Sequence, residues 1–322
     1  MRILFLGGTG TISSACSPLA VERGHDLTLV TRGTSDHLAP EGAEILHADA
    51  RDPEALRDAL GDRTFDAVVD WIAFTPEHIE TDIAVFTGRT GQYVFISSAS
   101  AYQTPPASLP VTEATPLRNP FWDYSQNKIA CEERLMEAHG PDFPVTIVRP
   151  SHTLAPWSVP LRGDYTVIDR MRRGAPVMLH DDGTALWTLT NHRDFAPGLI
   201  GLLGNDRALG EAYHITSDEA LPWNEIVARL AEAAGVPDPE VVHVPSERIA
   251  EADADWGASL IGDKAHSMTF DNTKIKAAVP DFDATTPYAR TASETVAWYD
   301  ADPARRTVDP EVDRLHDALT AP

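Results

Sequence analysis

The sequence predicts an α/β fold, a doubly wound parallel sheet with helices on both faces, followed by a smaller C-terminal region. Two observations predict it. Short apolar runs alternate with amphipathic helical patterns through the first half of the chain, which is typical of a parallel sheet covered by crossover helices. After Pro150 this alternation is lost, so a region of different organisation is expected there.

Six apolar runs have the length and composition of strands. They are rich in Val, Ile, Leu and Phe, as expected for strands buried on both faces. The predicted strands span residues 2–6, 26–30, 43–47, 65–70, 92–96 and 145–149.

Four helices are predicted between these strands, at residues 11–23, 53–60, 76–87 and 124–139. Asp52-Pro53 is a favourable helix start, an N-cap residue followed by proline at the first helical position. A glycine follows each predicted helix, where a left-handed residue ends the helix at low cost. These glycines are Gly24, Gly61, Gly88 and Gly140.

The pattern also predicts domain boundaries. Residues 1–150 form the first domain, and 183–210 return to it with a candidate strand at 183–191 and a helix at 194–203. Residues 151–182 and 211–300 form the smaller region, and 301–322 are a charged, proline-containing loose tail. The proline-rich loop 103–120 is too long for a simple connection, which indicates a functional loop.

Composition narrows the function classes. The net charge is −23, from 26 basic and 49 acidic residues, so the surface repels nucleic acid and anionic membranes. No apolar run approaches the about 20 residues of a membrane span. With only Cys16 and Cys131, both in predicted helices, free buried thiols and a cytoplasmic location are expected. The 12 histidines lack metal-ligand spacing, so no metal is predicted.

A glycine-rich turn joins the first strand to the first helix. It reads Gly7-Gly8-Thr9-Gly10-Thr11-Ile12-Ser13. Gly7 and Gly10 would supply the turn and the close approach of backbone to a pyrophosphate, with Thr11 and Ile12 opening a helix whose N-terminus faces the anion. Between a strand and a helix, this pattern predicts dinucleotide binding. Ser13 stands at the third glycine position.

The end of the second strand indicates which dinucleotide is bound. An acidic residue there would bind a ribose 2′-hydroxyl, but the sequence has Arg32, which could pair with a 2′-phosphate. NADP is therefore favoured slightly over NAD. Asp36, further along the chain, leaves NAD as an alternative cofactor, and Arg32 could instead be a solvated loop residue.

Tyr124 and Lys128 stand at positions i and i+4, on one face of a helix. An ammonium beside a phenol lowers its pKa toward neutrality, which suits a proton-transfer group. Ser98 lies just after the fifth predicted strand, at the edge of the sheet where ligands bind, and its hydroxyl could hold a substrate oxygen. Chance spacing of the tyrosine and lysine, and a serine that simply ends a strand, are the alternatives.

The order of these motifs, closed by a strand ending in Arg149-Pro150, resembles the extended short-chain dehydrogenase/reductase family, which includes NAD-dependent epimerases and dehydratases of nucleotide sugars. The resemblance implies a Rossmann fold whose C-terminal region binds substrate. It also implies roles: Ser98 binds substrate, Tyr124 is the general acid/base, Lys128 orients the nicotinamide ribose, and Asp49 contacts adenine.

Two positions depart from the family. Sugar 4,6-dehydratases have Asp-Glu directly after the hydroxyl residue, where this chain has Ala99-Ser100, which argues against dehydration. Trp187 lies near the position of an arginine that holds the substrate in many nucleotide-sugar enzymes. A tryptophan could stack on a sugar ring or belong to the core.

Further substrate-binding candidates lie beyond the first domain. His152 follows the last predicted strand and should face the site. A late polar stretch could also line it, through Lys264, His266, Asn272 and Lys274.

The sequence thus predicts an NAD(P)-dependent oxidoreductase or epimerase that acts on a carbinol or ketone of a sugar or nucleotide-sugar-like small molecule. A homodimer is left open. Two alternatives stand beside it. One is an RNA-binding protein on the same scaffold, because Asp271-Asn272-Thr273-Lys274 resembles a segment of chloroplast stem-loop-binding proteins. The other is a non-catalytic NADP-binding regulator.

Overall fold

The structure, a computed structural model, describes residues 1–321. Seven parallel strands form the main sheet in the order β11-β6-β5-β4-β1-β2-β3. The first six confirm the predicted strands with small shifts of their ends, since most of their residues are apolar and buried. They are β1 (Arg2–Leu6), β2 (Asp26–Thr31), β3 (Glu44–His47), β4 (Ala67–Asp70), β5 (Tyr93–Ile96) and β6 (Val145–Pro150).

The remaining strands have two to five residues, and only one of them, β11, belongs to the main sheet. Three pairs lie outside the main sheet: β7 with β10 and β8 with β13, both parallel, and β9 with β12, antiparallel. These strands are β7 (His152–Leu154), β8 (Val177–His180), β9 (Leu186–Trp187), β10 (Leu189–Asn191), β11 (Glu211–Ile215), β12 (Leu221–Pro222) and β13 (Val241–Val244).

Helices cover both faces of the main sheet. The first six are α1 (Ser13–Glu22), α2 (Pro53–Leu60), α3 (Pro76–Phe86), α4 (Asp123–Ala138), α5 (Tyr165–Arg172) and α6 (His192–Leu202). Helices α1 and α6 pack together on one face, and α2, α3 and α4 contribute to the core of the other. The predicted α/β fold is confirmed. Helix α1 begins two residues later than predicted, because Thr11 and Ile12 still belong to the turn.

The C-terminal part adds six helices. They are α7 (Trp223–Ala233), α8 (Ser246–Ala252), α9 (Ala254–Ser259), α10 (Thr273–Ala278), α11 (Tyr288–Asp300) and α12 (Pro310–Thr320). With α5 and the short strand pairs, α7 and α11 enclose a second core around Trp187 and Trp223. This core lies beyond the carboxyl edge of the main sheet, where β6 continues into β7.

Two boundaries differ from the expected domain division. Residues 183–191 form the short strands β9 and β10, neither in the main sheet, so the chain returns to the first domain through α6. Glu211–Ile215, expected in the smaller region, is the outermost strand β11 and pairs with β6. Its last three residues are buried, but Glu211 and His214 interrupt the apolar residues, so a search for continuous apolar runs does not find it.

The tail also differs from expectation, because it is helical and packed. Asp309 caps α12 through hydrogen bonds to the main-chain N–H groups of Glu311 and Val312. Arg170 of α5, whose side chain is fully buried, forms ion pairs with Asp313 and Asp317 of this helix. Helix α12 is therefore part of the C-terminal core. Pro322, the last residue of the predicted tail, lies outside the described residues.

Candidate active site

The glycine-rich turn lies at the carboxyl end of β1. Gly7 and Gly8 adopt φ values of +93° and +108°, a region that side-chain-bearing residues rarely enter. A Cβ atom at Gly8 would stand 2.8 Å from the Leu29 side chain. The backbone conformation of the turn therefore requires glycine at positions 7 and 8. The sequence pattern predicted that Gly7 and Gly10 would form the turn.

Ser13 takes the place of the third glycine and is buried. Its Oγ accepts a hydrogen bond of 2.8 Å from the Gly10 N–H. Thr11 and Ile12 are half-buried between this turn and the first residue of α1. The serine thus stabilises the turn through its hydroxyl, which satisfies the main-chain N–H of Gly10.

A first cleft of about 880 Å³ opens beside this turn. Gly7, Arg32 and Asp49 line it together, with Thr9, Thr34 and Ser35, so the structure brings three predicted cofactor-binding residues to one cleft. Gly10, Thr11 and Ile12 are not among its lining residues.

Asp36, the acidic residue that kept NAD open, is already engaged. One carboxylate oxygen accepts a 2.6 Å hydrogen bond from the Thr31 hydroxyl, and the other lies 2.6 Å from Nε2 of His47. These hydrogen bonds, that from Thr31 first, lower the pKa of Asp36. Arg32 is exposed beside the cleft, and the ion pairs within residues 1–321 do not include it.

A second cleft of about 620 Å³ lies at the carboxyl ends of β5 and β6. The structure brings five predicted residues to its wall: Ser98, Tyr124, His152, Trp187 and Lys264. They come from the end of β5, the start of α4, strand β7, strand β9 and the chain after α9. Residues far apart in sequence therefore converge on one cavity, as expected of a ligand site in a parallel sheet.

Tyr124 stands in the first turn of α4, and its ring lies 4.7 Å from that of Trp122. Burial raises the pKa of Tyr124 to about 12, and the nearby Ser98 hydroxyl opposes the rise. The sequence predicted a lowered pKa. The structure shows the opposite direction, because removal of the phenol from solvent outweighs the interactions that favour phenolate.

Lys128 lies beneath the two clefts rather than on their walls. Its ammonium donates hydrogen bonds to the main-chain oxygens of Ala73, at 2.7 Å, and Ile96, at 2.8 Å. The Nζ atom also lies 4.7 Å from the centre of the Phe74 ring. Burial lowers the pKa of Lys128 to about 8. The lysine therefore joins the ends of β4 and β5 below Tyr124.

Ser98 begins a chain of hydroxyls. Its Oγ lies 2.9 Å from Oγ of Ser100, which accepts a 2.8 Å hydrogen bond from the Ser125 hydroxyl on α4. Ser100 also lines the second cleft. Sequence reasoning did not single out Ser100 or Ser125, because serine near a strand end is common without any functional role.

His152 and Trp187 form a pair in the cleft wall. Nε1 of Trp187 donates to Nδ1 of His152 at 3.2 Å, which places the imidazole proton on Nε2. Burial lowers the pKa of His152 to about 3, so the ring is neutral. Trp187 also stacks on Trp223 with ring centres 5.6 Å apart. Trp187 is thus both a core residue and a lining residue.

The late polar stretch is divided. Lys264 lines the second cleft, together with its neighbour Asp263, which the sequence did not suggest. The other three candidates face elsewhere: His266 contacts the Ile261 carbonyl, Asn272 is buried against Thr216, and Lys274 pairs with Glu211.

Within residues 1–321, no group of three or more His, Cys, Asp or Glu side chains is placed to hold a metal ion. The described helices also include none that is long and apolar enough to cross a membrane. Cys16 and Cys131 are free and buried.

A doubly wound parallel sheet, a glycine turn after its first strand, and a tyrosine and serine at its carboxyl edge define the class of short-chain dehydrogenase/reductase enzymes. The chain belongs to the NAD dependent epimerase/dehydratase family, whose model matches residues 3–216. It is an NAD(P)-dependent oxidoreductase or epimerase of the extended type.

Two relatives indicate the breadth of this family. The 2′-dehydrokanamycin reductase of Streptomyces kanamyceticus is 30% identical over 255 residues, covering 78% of this chain and 71% of that protein. The chloroplast stem-loop binding protein of 41 kDa b of Arabidopsis thaliana is 27% identical over 256 residues, covering 75% of this chain and 65% of that protein.

Solved structures share the fold. The UDP-glucose 4-epimerase of Bifidobacterium longum, in complex with NAD⁺ and UDP, superposes with a TM-score of 0.77 at 17% identity. The match covers 95% of this chain and all of that one. At this identity the likeness concerns the fold alone.

Proposed function

We propose that the protein transfers hydride between a carbinol carbon of a sugar-like substrate and the nicotinamide of NADP, with Tyr124 exchanging the hydroxyl proton. One observation carries this proposal. Tyr124 and Ser98 face a single cleft at the carboxyl edge of the sheet, next to the cleft beside the glycine turn. A substrate in the second cleft would meet a dinucleotide extending from the first.

The residues present fit a dinucleotide. The positive φ values of Gly7 and Gly8 remove Cβ atoms from the turn where a pyrophosphate must approach the backbone. The partial positive charge at the N-terminus of α1 favours an anion there. Bound NAD(P) supplies the hydride acceptor or donor and, in its oxidised form, a positive charge.

Tyr124 would take up the proton of the substrate hydroxyl as the C–H bond yields its hydride, and would return a proton in the reverse direction. Ser98 would hold the substrate oxygen. A positive charge close to the phenol stabilises phenolate, which counteracts the effect of burial on the pKa of Tyr124. Lys128 would hold this region in place from below and so orient the nicotinamide ribose.

Arg32 supports NADP as the preferred dinucleotide. It lines the first cleft with the hydroxyl-bearing residues Thr34 and Ser35, groups that suit a 2′-phosphate. The carboxylate of Asp36 is turned to Thr31 and His47 and would need to leave both to bind a ribose hydroxyl. Asp49, which also lines this cleft, would contact adenine.

The second cleft supports a sugar-like substrate, with Trp187, His152 and Lys264 as its binding residues. Two net reactions are open to this chemistry. If the cofactor stays bound and returns hydride to the opposite face, the result is epimerisation; if it leaves, the result is reduction or oxidation. The relative named as a reductase of 2′-dehydrokanamycin supports the second.

The relative named as a stem-loop binding protein supports a second candidate function, RNA binding. The net charge of −23 opposes it, because phosphate contacts require a basic surface.

The test begins with mass spectrometry of the dinucleotide that co-purifies with the protein. Hydride transfer is then followed by the absorbance of the reduced cofactor, against free and nucleotide-linked sugars and their keto derivatives. Turnover that Tyr124→Phe abolishes would support the proposal. Cofactor binding without turnover of any compound would favour a regulator, and salt-dependent retention of RNA would favour the second candidate.

A further inference from the structure

Residues Leu260–Lys264 form one turn of π-helix at the edge of the second cleft. Such turns are rare and are frequent at functional sites. Their widened geometry leaves carbonyl groups that side chains can satisfy. Four side chains donate to carbonyls of this turn: Asn119 to Gly262 at 2.5 Å, His266 to Ile261 at 3.1 Å, and both Trp223, at 3.0 Å, and His180, at 3.1 Å, to Lys264.

The turn is also fixed to the reaction cleft. The same Asn119 amide donates to the main-chain oxygen of Ser100 at 2.8 Å, in the segment that carries Ser98. A Cβ atom at Gly262 would stand 2.7 Å from Cβ of Trp122, so only glycine allows this close approach. The side chains that the π-turn carries therefore have a fixed position relative to Tyr124.

Two of those side chains, Asp263 and Lys264, line the cleft with Tyr124. Within residues 1–321, neither the carboxylate of Asp263 nor the ammonium of Lys264 has a hydrogen-bond or ion-pair partner. The Lys264 Nζ atom lies 5.4 Å from the centre of the Trp122 ring. Burial raises the pKa of Asp263 to about 6 and lowers that of Lys264.

Unpaired charged groups in a cleft are costly to keep. Each charge partly opposes the effect of burial on the other, but the two side chains form no ion pair within the described residues. Such a cost is common where a ligand supplies the missing partners. The arrangement presents one acceptor and one donor, of opposite charge, to whatever occupies the cleft.

We propose that Asp263 and Lys264 bind the substrate directly, and that together they select a neutral, polyhydroxylated group over an anionic or a cationic one. This inference rests on the proposed function and specifies its substrate. A hydroxyl group both donates and accepts, so neighbouring hydroxyls satisfy Asp263 and Lys264 at once. An anionic group is attracted by the Lys264 ammonium but repelled by the Asp263 carboxylate. A cationic group is attracted by the carboxylate but repelled by the ammonium.

The experiment compares a glucoside with two derivatives, each of which differs from it in one substituent. The glucuronide carries a carboxylate, and the glucosaminide carries an amine. All three are used as the methyl glycoside and as the UDP conjugate. Dissociation constants are measured by calorimetry with cofactor present, and turnover is measured separately. The proteins compared are wild type, Asp263→Asn, Lys264→Met and the control Asp255→Asn. Asp255 is exposed on α9, and its replacement changes the net charge by the same amount as Asp263→Asn.

Wild type should bind the neutral glycoside about 10-fold more tightly than either charged one, as expected for one charged hydrogen bond. Asp263→Asn should weaken the neutral ligand and reduce the discrimination against the carboxylate. Lys264→Met should reduce the discrimination against the amine. The control should behave as wild type, and an unchanged affinity for cofactor shows that each variant is folded.

Failure of the inference and failure of the proposed function give different results. If wild type turns over a glycoside while both variants keep its affinity and discrimination, the inference is overturned and the oxidoreductase stands. If the ligands bind in the expected order of affinity but none is turned over, the inference about binding is supported and the proposed oxidoreductase activity is not. Preference for a charged ligand, or no binding of any of the six compounds, overturns the inference.

Discussion

The ammonium of Lys128 lies 5.7 Å from the centre of the Tyr124 ring, with its hydrogen bonds directed to two main-chain oxygens. The lysine therefore faces the phenol ring and does not donate a hydrogen bond to its oxygen. This position suits a residue that organises the ends of β4 and β5. If Tyr124 is the general acid/base, as proposed, the charge that favours phenolate would come chiefly from the bound cofactor.

Replacing Tyr124 with Phe should reduce turnover by about 100- to 10,000-fold, the usual contribution of a general acid/base, while the affinity for cofactor changes little. Steady-state kinetics and cofactor titration measure the two effects. Tyr288→Phe is the matched control, because the Tyr288 hydroxyl is buried without a hydrogen-bond partner among the described residues. Near-normal turnover in Tyr124→Phe would remove the tyrosine from the mechanism.

Lys128 should make stability depend on pH in alkaline solution. Burial lowers its pKa from 10.5 to about 8, so between these values the unfolded chain binds the proton more tightly than the folded one. Stability relative to Lys128→Met should therefore be lowest below pH 8 and rise as the pH increases toward 10.5. The full change is about 3 kcal/mol.

Urea unfolding of wild type and Lys128→Met across this window measures the difference in the free energy of unfolding. Other titrating groups cancel in the comparison. A difference that stays constant with pH would mean that the ammonium keeps its ordinary pKa in the folded state.

Replacing Arg32 with Ala should lower the preference for NADP over NAD by about 10- to 100-fold, the range of a lost charged hydrogen bond. The affinity for NAD should hardly change. Dissociation constants for both dinucleotides test this, with Arg23→Ala as the control, since Arg23 is also exposed but follows α1 away from the cleft. If Arg32→Ala keeps the wild-type preference, Arg32 is a solvated loop residue.

Removing residues after Ala301 should destabilise the protein by more than about 3 kcal/mol, because Arg170 loses both carboxylates and the core loses the buried side chains of Val312 and Leu319. Denaturant unfolding measures this, and Asp313→Asn with Asp317→Asn tests the same pairs without shortening the chain. Arg229→Ala, which removes exposed ion pairs on α7, should cost less than about 1 kcal/mol. A truncated protein as stable as wild type would show that α12 is dispensable.

If Asp263 accepts a hydrogen bond from substrate, kcat/KM should fall as the pH decreases through about 6, where its carboxylate gains a proton. The group is active when deprotonated, so activity is retained above this pH. Of the other titratable groups at this cleft, burial lowers the pKa of His152 to about 3, raises that of Tyr124 to about 12 and lowers that of Lys264. Asp263→Asn should remove this decrease in kcat/KM at acid pH. If the decrease is the same in the variant, a different group is responsible for it.

Local patterns allowed most of the fold to be predicted. Continuous apolar runs identified β1 to β6, and Asp52-Pro53 identified the start of α2. The same start signal occurs at Asp309-Pro310, and the spacing of Val312, His316 and Leu319 matches one face of a helix. Helix α12 could thus have been predicted, but its charge and prolines suggested a tail.

The candidate site was predictable only where motifs are local. Tyr124, Lys128 and the glycine turn lie within short segments, and Ser98 directly follows the end of a recognisable strand. Asp263 has no such signal, because it reaches the cleft through a π-turn held by Asn119 and Trp223, residues far away in sequence. The pKa of Tyr124 was also beyond local reasoning, since burial depends on the complete wall of the cleft.

Strand β11 has a consequence for dissecting the molecule. It covers the outer side of β6, yet it comes more than sixty residues later in the chain. A fragment cut after Pro150 would carry every dinucleotide motif but would leave the hydrogen-bonding groups of β6 exposed, ready to pair with another chain. Such a fragment should aggregate, so the minimal nucleotide-binding unit must extend through Ile215.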